Sequence, residues 1–134
     1  MGSDKMNHEP PAEWAEEVIS HLIDIFPELE RDIDNEDYFH DSPHLVFEGV
    51  LLPWTRRWIE KKRWKKIRQL ANLLEEMLLC ADNKYTPNVV EVSYLEPLVL
   101  ADSDLISELL PYLHKNTLKS LQYWQERYGS QPDG

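Results

Sequence analysis

"NVVEVSYLEPLVLA" (residues 88–101) decides the fold class. Its four valines favour a strand on composition alone. Val89, Val92, Leu95 and Val99, with Leu98, nonetheless keep helical spacing, and over more residues than the roughly five or six of a typical strand. Read as a helix, the segment leaves no part of the chain that asks for a sheet.

The neighbours agree. Upstream, "RWKKIRQLANLLEEMLLCA" (63–81) places Trp64, Ile67, Leu70, Ala71, Leu74, Met77 and Leu78 on one apolar face. "DNKYTP" then reads as a turn, with Thr86 and Pro87 as a cap-plus-proline start for the next helix. Ser42 and Pro43 give the same signal ahead of "HLVFEGVLLPWTRRWIEKK", with Leu45, Val46, Val50 and Leu51 expected inward. Pro53 should kink that helix or split it in two. In residues 11–26, Trp14, Val18, Leu22 and Phe26 step by four, and Ile19 and Ile23 widen the stripe; Pro27 ends the helix and opens "PELERDI". Downstream, Asp102 or Ser103 is expected to cap "DLISELLPYLHK". Asn116 or Thr117 should cap "LKSLQYWQERY", which Gly129 stops.

The expectation is one all-α domain over residues 11–129, six to seven amphipathic helices in a bundle or stacked helical hairpins. No repeat period is legible. Residues 1–10 read as a leader outside the fold, with Met6 as a candidate natural start, and 130–134 as a frayed tail. With 134 residues and 42% hydrophobic content the chain can bury a core without disulfides. A single cysteine, Cys80, suits a reducing compartment, and no apolar run approaches a membrane span, so a cytoplasmic protein without a membrane partner is expected.

Charge is unevenly placed within a net of −11. Residues 1–48 hold fourteen acids and two bases, a net of −12; residues 49–68 hold eight bases and one acid, a net of +7. The basic block is "RRWIEKKRWKKIRQL" (56–70), whose Arg56, Arg57, Lys61, Lys62, Arg63, Lys65 and Lys66 form one candidate surface for nucleic acid or another anionic partner. The plainer reading is a wet helical face with Trp54, Trp58 and Trp64 turned to the core, or a surface that pairs with the acidic first third. Lys61, Lys62, Arg63, Lys65 and Lys66 crowd the start of the Trp64 helix, with Glu75 and Glu76 near its end, the reverse of what the helix dipole favours. The adjacent carboxylates Glu75 and Glu76 diverge by about 100° on a helix and read as solvent-facing.

The acidic counterpart is "ERDIDNEDYFHD" (30–41), where Glu30, Asp32, Asp34, Glu36, Asp37 and Asp41 accompany Tyr38 and Phe39. A calcium loop begun at Asp32 would need Gly sixth and Glu twelfth but meets Asp37 and Pro43. The remaining readings are a solvated loop with Phe39 tucked inward, or a docking surface on which Tyr38 anchors and the acids steer a basic partner. His40 and His44 lie near Asp37 and Asp41, but the loop breaks their common face, and no metal site is expected. Cys80, ending an apolar face, reads as buried and inert. No nucleophile motif, phosphate-binding glycine loop or dinucleotide fingerprint occurs, so neither a catalytic residue nor a cofactor is expected.

"IFPELE", "SPHLVFEGVLLPWTRRWIE", "VVEVSYLEPLV" and "LLPYLHKNTLKSLQYW", in that order, resemble a family of small bacterial all-helical proteins without an assigned activity. Some of its members resemble immunity partners of secreted or contact-delivered toxins. "PHLVF" and the ending from Tyr112 to Trp124 carry the likeness most strongly. They are core and capping residues, so the resemblance implies a fold and transfers no catalytic residue. The net charge of −12 in the first 48 residues points to a non-enzymatic protein-binding module and, with the resemblance, to an immunity-type protein that occludes a basic toxin through the acidic surface. The runner-up is a nucleic-acid or anionic-surface binder using the basic helix 56–68.

Overall fold

The computed structural model describes residues 10–129, and the expectations for the leader and the tail lie, Pro10 apart, outside them. Every regular element among the described residues is helical. α1 (Ala12–Ile25) ends at Phe26, and Pro27 starts a 3-10 turn (Pro27–Leu29) that runs into the short α2 (Glu30–Asp34). The expected loop contains another 3-10 turn (Asp37–Asp41). Ser42 then caps α3 (Pro43–Val46) by accepting the Leu45 N–H at 3.2 Å, as its side chain suggests.

Pro53 does not split the helical rod that α3 begins. Residues 47–51 form a single π-turn, in which the Leu52 N–H reaches back five residues to the Phe47 carbonyl, and α4 (Leu52–Glu60) continues beyond it. An extra residue in the turn ahead of the proline relieves the clash of its ring with the carbonyl four residues back. The same device recurs in the segment that decided the fold class. α6 (Tyr85–Val90) passes through a π-turn (Glu91–Leu95), the Glu96 N–H bonds the Glu91 carbonyl, and α7 (Glu96–Ala101) carries Pro97. The helix reading of residues 88–101 is therefore correct, with a wide turn that the spacing did not show. That turn rotates Val92 out to 40% exposure and brings Ser93 and Tyr94 inward. Leu45, also expected inward, is exposed, because Val46 and Phe47 hold the core face beside it.

The two rods pack π-turn against π-turn. Thr55 Oγ1 donates to the Leu51 carbonyl at 2.8 Å, so the buried Tyr94 hydroxyl, 2.8 Å away, donates to Thr55. Burial pushes the Tyr94 phenol well above its usual range. His44 Nδ1 and Ser93 Oγ make a second bond between the rods, and partial burial lowers the His44 pKa. Around them Leu22, Phe26, Leu29, Ile33, Phe47, Leu51, Ile67, Leu70, Leu74 and Leu95 form a continuous, fully enclosed core. Trp14, at its edge, donates its indole N–H to Thr86 at 3.0 Å. Thr86 is not the cap expected of it: its own N–H and hydroxyl both donate to Asn83 Oδ1, so Asn83 closes that helix start.

α5 (Trp64–Leu78) has the expected buried face, with Leu73 added. It is separate from α4. The Lys62 and Arg63 N–H groups bond back to Ile59 and Trp58, a Schellman closure that places Lys62 at φ 57°. Glycine is preferred in that left-handed position, since a Cβ there costs about 1–2 kcal/mol. Lys62→Gly should therefore stabilise the fold by about 1 kcal/mol, raising the thermal midpoint by about 3–5 °C in calorimetry. An unchanged or lower midpoint would mean that the Lys62 side chain compensates for its backbone.

The C-terminal part departs most from expectation. The helix expected after Asp102 is only a 3-10 turn (Ser103–Leu105) and the single turn α8 (Ile106–Leu109), with no side-chain cap. α9 (Lys115–Trp124) starts at His114, whose Nε2 bonds Asn72 Oδ1 at 2.7 Å, rather than leaving His114 in the last turn of a preceding helix. Asn116 and Thr117 do not cap it themselves. Glu75 of α5 does, accepting from the Asn116 N–H and side-chain amide and from the Thr117 N–H and hydroxyl at 2.8–3.2 Å. Glu75 is thus no solvent-facing carboxylate. Its place near the C-terminus of its own helix, wrong for that dipole, is right for the N-terminus of α9.

Candidate functional site

The acidic stretch and the basic run come together where α1 turns at Phe26–Pro27 into α2 and lays it beside α4. Trp54 of α4 stands between them. Its indole N–H donates to Asp32 Oδ2 at 2.7 Å, and the Arg57 guanidinium lies 4.6 Å above its ring. On one side is an acidic cleft of about 780 Å³, lined by Glu28, Glu30, Asp32 and Asp34 with Trp54 and Arg57. On the other is a cleft of about 490 Å³, lined by Arg57, Lys61, Arg63 and Lys66 above Trp54 and Trp58, with Glu28 at its edge.

The seven acidic-side candidates divide. Glu30, Asp32 and Asp34 line the first cleft, whereas Glu36, Asp37, Tyr38 and Asp41 lie beyond it, on and beside the 3-10 turn. Asp32 is committed to Trp54, and Asp34 to His40 Nε2 at 2.9 Å. Among the described residues Glu30, Glu36, Asp37 and Asp41 make no ion pair, and all four are exposed. Phe39 tucks against the core over Gly49, while Tyr38, 52% exposed, stays outside with its ring 4.9 Å from that of Phe39.

The seven basic candidates divide as well. Arg56 is not part of a free surface: it is forked between Asp102 at 2.7 Å and Asp104 at 2.9 Å, tying α4 to the turn after α7. The hydrogen bonds that Arg56 donates to Asp104 and then to Asp102 raise the pKa of its guanidinium, and Arg56 in turn lowers the Asp104 carboxyl. Lys66 bonds Glu28 at 3.1 Å and lies over the Phe26 ring. Arg57, Lys61, Lys62, Arg63 and Lys65 remain exposed without an ion pair among the described residues. The basic run thus pairs with the acidic third at Lys66 and Glu28, and Trp54, just ahead of the run, bonds Asp32. Lys61 and Lys62 close the C-terminus of α4, where cations suit the dipole.

Sequence reasoning does not single out Glu28 and Trp54 as site residues, although the wall between the clefts is built on them. Pro27 carries the available signal, since a first-turn proline fixes where Glu28 points off the end of α1. The Arg56 partners, 46 and 48 residues away, leave no local trace. Cys80 is only partly buried, just past the end of α5.

Among the described residues no three His, Cys, Asp or Glu side chains gather as metal ligands, and no helix is long and apolar enough to cross a membrane. A family model described as a domain of unknown function (DUF7674) matches residues 19–129. No curated protein and no solved structure matches the chain.

Proposed function

The chain belongs to the DUF7674 family, whose description leaves the chemistry to the residues themselves, and we propose that it is a non-enzymatic module that binds a basic protein partner. One observation carries this reading: among the described residues Glu30, Glu36, Asp37 and Asp41 make no ion pair, and they are exposed in the same stretch as the exposed Tyr38. Carboxylates that stabilise nothing internally remain available to steer a cationic surface, and an exposed tyrosine beside them supplies an anchor at low entropic cost. The finer form of the proposal is an immunity-type role: the acidic surface takes the place of a phosphate backbone and occludes the cleft of a basic toxin such as a nuclease.

Capture from nuclease-treated host lysate tests it, with the wild type and the E30K/E36K/D37K/D41K variant run in parallel. The wild type should retain a discrete basic protein at about 0.1 M salt, where the Debye length is about 10 Å. The variant should lose it, and for the purified pair the association rate should fall by at least about tenfold on reversal. Retention indifferent to the reversal would sink the acidic-surface reading. The second reading, a nucleic-acid or anionic-surface binder, is favoured by the five cations from Arg57 to Lys65 that make no ion pair among the described residues. Recovery of nucleic acid alone from untreated lysate, lost in K61E/K65E, would put it first.

A further inference from the structure

The smaller cleft has features that a protein-docking role for residues 30–41 does not use. Its floor is aromatic: Trp58 is buried, with its ring 5.9 Å from that of Trp54 and 4.8 Å from that of Phe26. Its rim is cationic. Arg57 comes from the last turns of α4, Lys61 is the residue that ends that helix, and Arg63 precedes the first residue of α5. The left-handed Lys62 lets these three share one cleft, because it reverses the chain between Lys61 and Arg63. Lys66 adds a fourth cation, and Glu28 neutralises that one alone. Among the described residues Arg57, Lys61 and Arg63 make no ion pair, so a bound anion would offset their mutual repulsion.

We propose that this cleft binds a nucleoside phosphate, with the base against the partly exposed Trp54 ring, which the buried Trp58 supports from beneath, and the phosphates among Arg57, Lys61 and Arg63. The volume, about 490 Å³, lies within the roughly 300–1,000 Å³ usual for small-ligand sites. Arginine forks match phosphate oxygens two at a time, and aromatic faces accept any base by stacking. An anion without a planar body would leave the indole floor unused; a planar body without an anion would leave the rim unsatisfied. The proposal stands apart from the protein-binding reading: it uses none of the acidic residues 30–41, and either can fail alone.

The probe is ADP, titrated calorimetrically into the full chain, with the Trp54 and Trp58 indole N–H resonances reporting the location. Saturable binding with a Kd of about 0.1–1 mM is expected, with both indole signals moving. Inorganic pyrophosphate should bind at least about tenfold more weakly for want of stacking, and adenosine more weakly still for want of charge. K61E/R63E should abolish binding, and its circular dichroism and thermal midpoint show whether the fold has survived. No saturable ADP binding to wild type, equal binding of pyrophosphate, or binding undiminished in a folded K61E/R63E would each overturn the proposal.

Discussion

Replacing Glu75 by alanine should unfasten α9 and lower stability by about 2–3 kcal/mol, moving the thermal midpoint by on the order of 10 °C. One carboxylate closes the start of that helix through four hydrogen bonds, two of them to backbone N–H groups that no turn of α9 can satisfy. Loss of a helix cap costs about 0.5–2 kcal/mol. Thr117 is fully buried, so its stranded hydroxyl adds a desolvation cost of about 1–3 kcal/mol. Glu75→Gln should fall roughly midway, since one oxygen still accepts while an amide now faces the Asn116 N–H. Burial by itself would raise the Glu75 carboxyl, but the bonds from Asn116 and Thr117 outweigh it and hold the pKa below its ordinary value of 4.5. A carboxyl depressed in the folded state contributes its stability above the unfolded pKa and loses it as pH falls through the folded one. The gap between wild type and Glu75→Gln should therefore be full at neutral pH and shrink once pH drops below 4.5. Hydrogen exchange locates the damage: protection should be lost first in α9, whereas the π-turn that follows it (Gln125–Gly129) is still held by the Tyr128 hydroxyl on Glu96 at 2.7 Å. A uniform loss of protection would mean that Glu75 supports the whole core instead.

Glu75 also shows where sequence reading stopped. Signals confined to one helix were legible: the stripes of α1 and α5, the Ser42 cap, and the helical spacing of residues 88–101 against their valine content. Each depends on side chains within a few residues of one another. The two π-turns were hidden because a proline signals only that the ladder must change. A break, a bend and a widened turn all answer that demand, and the Thr55–Tyr94 contact between the rods is not encoded near either proline. Caps were misassigned for the same reason. Asn116, Thr117 and Asp102 are all capable cap residues, but Glu75 and Arg56 reach them from 41 to 46 residues away. At the candidate site, the internal partners of the charged residues were not legible. Charge patterning identified both surfaces. It could not foresee that Asp32, Arg56 and Lys66 hold the domain together, so that only the remainder is free to meet a partner.

Phe26→Ala should have a larger effect still, a loss of about 3–5 kcal/mol in chemical denaturation. The ring is wholly enclosed, tilted on Trp58 at 4.8 Å and covered by the Lys66 ammonium at 5.7 Å. Removing it opens a cavity at the C-terminal end of α1, where Pro27 turns the chain. Against a total stability of about 5–15 kcal/mol such a loss brings the domain near unfolding. Phe26→Leu, which fills most of the volume, should cost only about 1–1.5 kcal/mol and is the informative variant for function. Phe26 and Asp32 are the two ends of the attachment that lays α2 beside α4: one packs on Trp58, the other accepts the Trp54 indole N–H. With leucine at position 26 the fold survives but the aromatic contact under the clefts is gone. If that contact sets the angle between the acidic stretch and α4, the Trp54 indole N–H resonance should shift and its exchange with solvent quicken. If the resonance stays put, the Asp32–Trp54 bond alone orients the stretch. Asp32→Asn, which weakens that bond without emptying the core, should then move it.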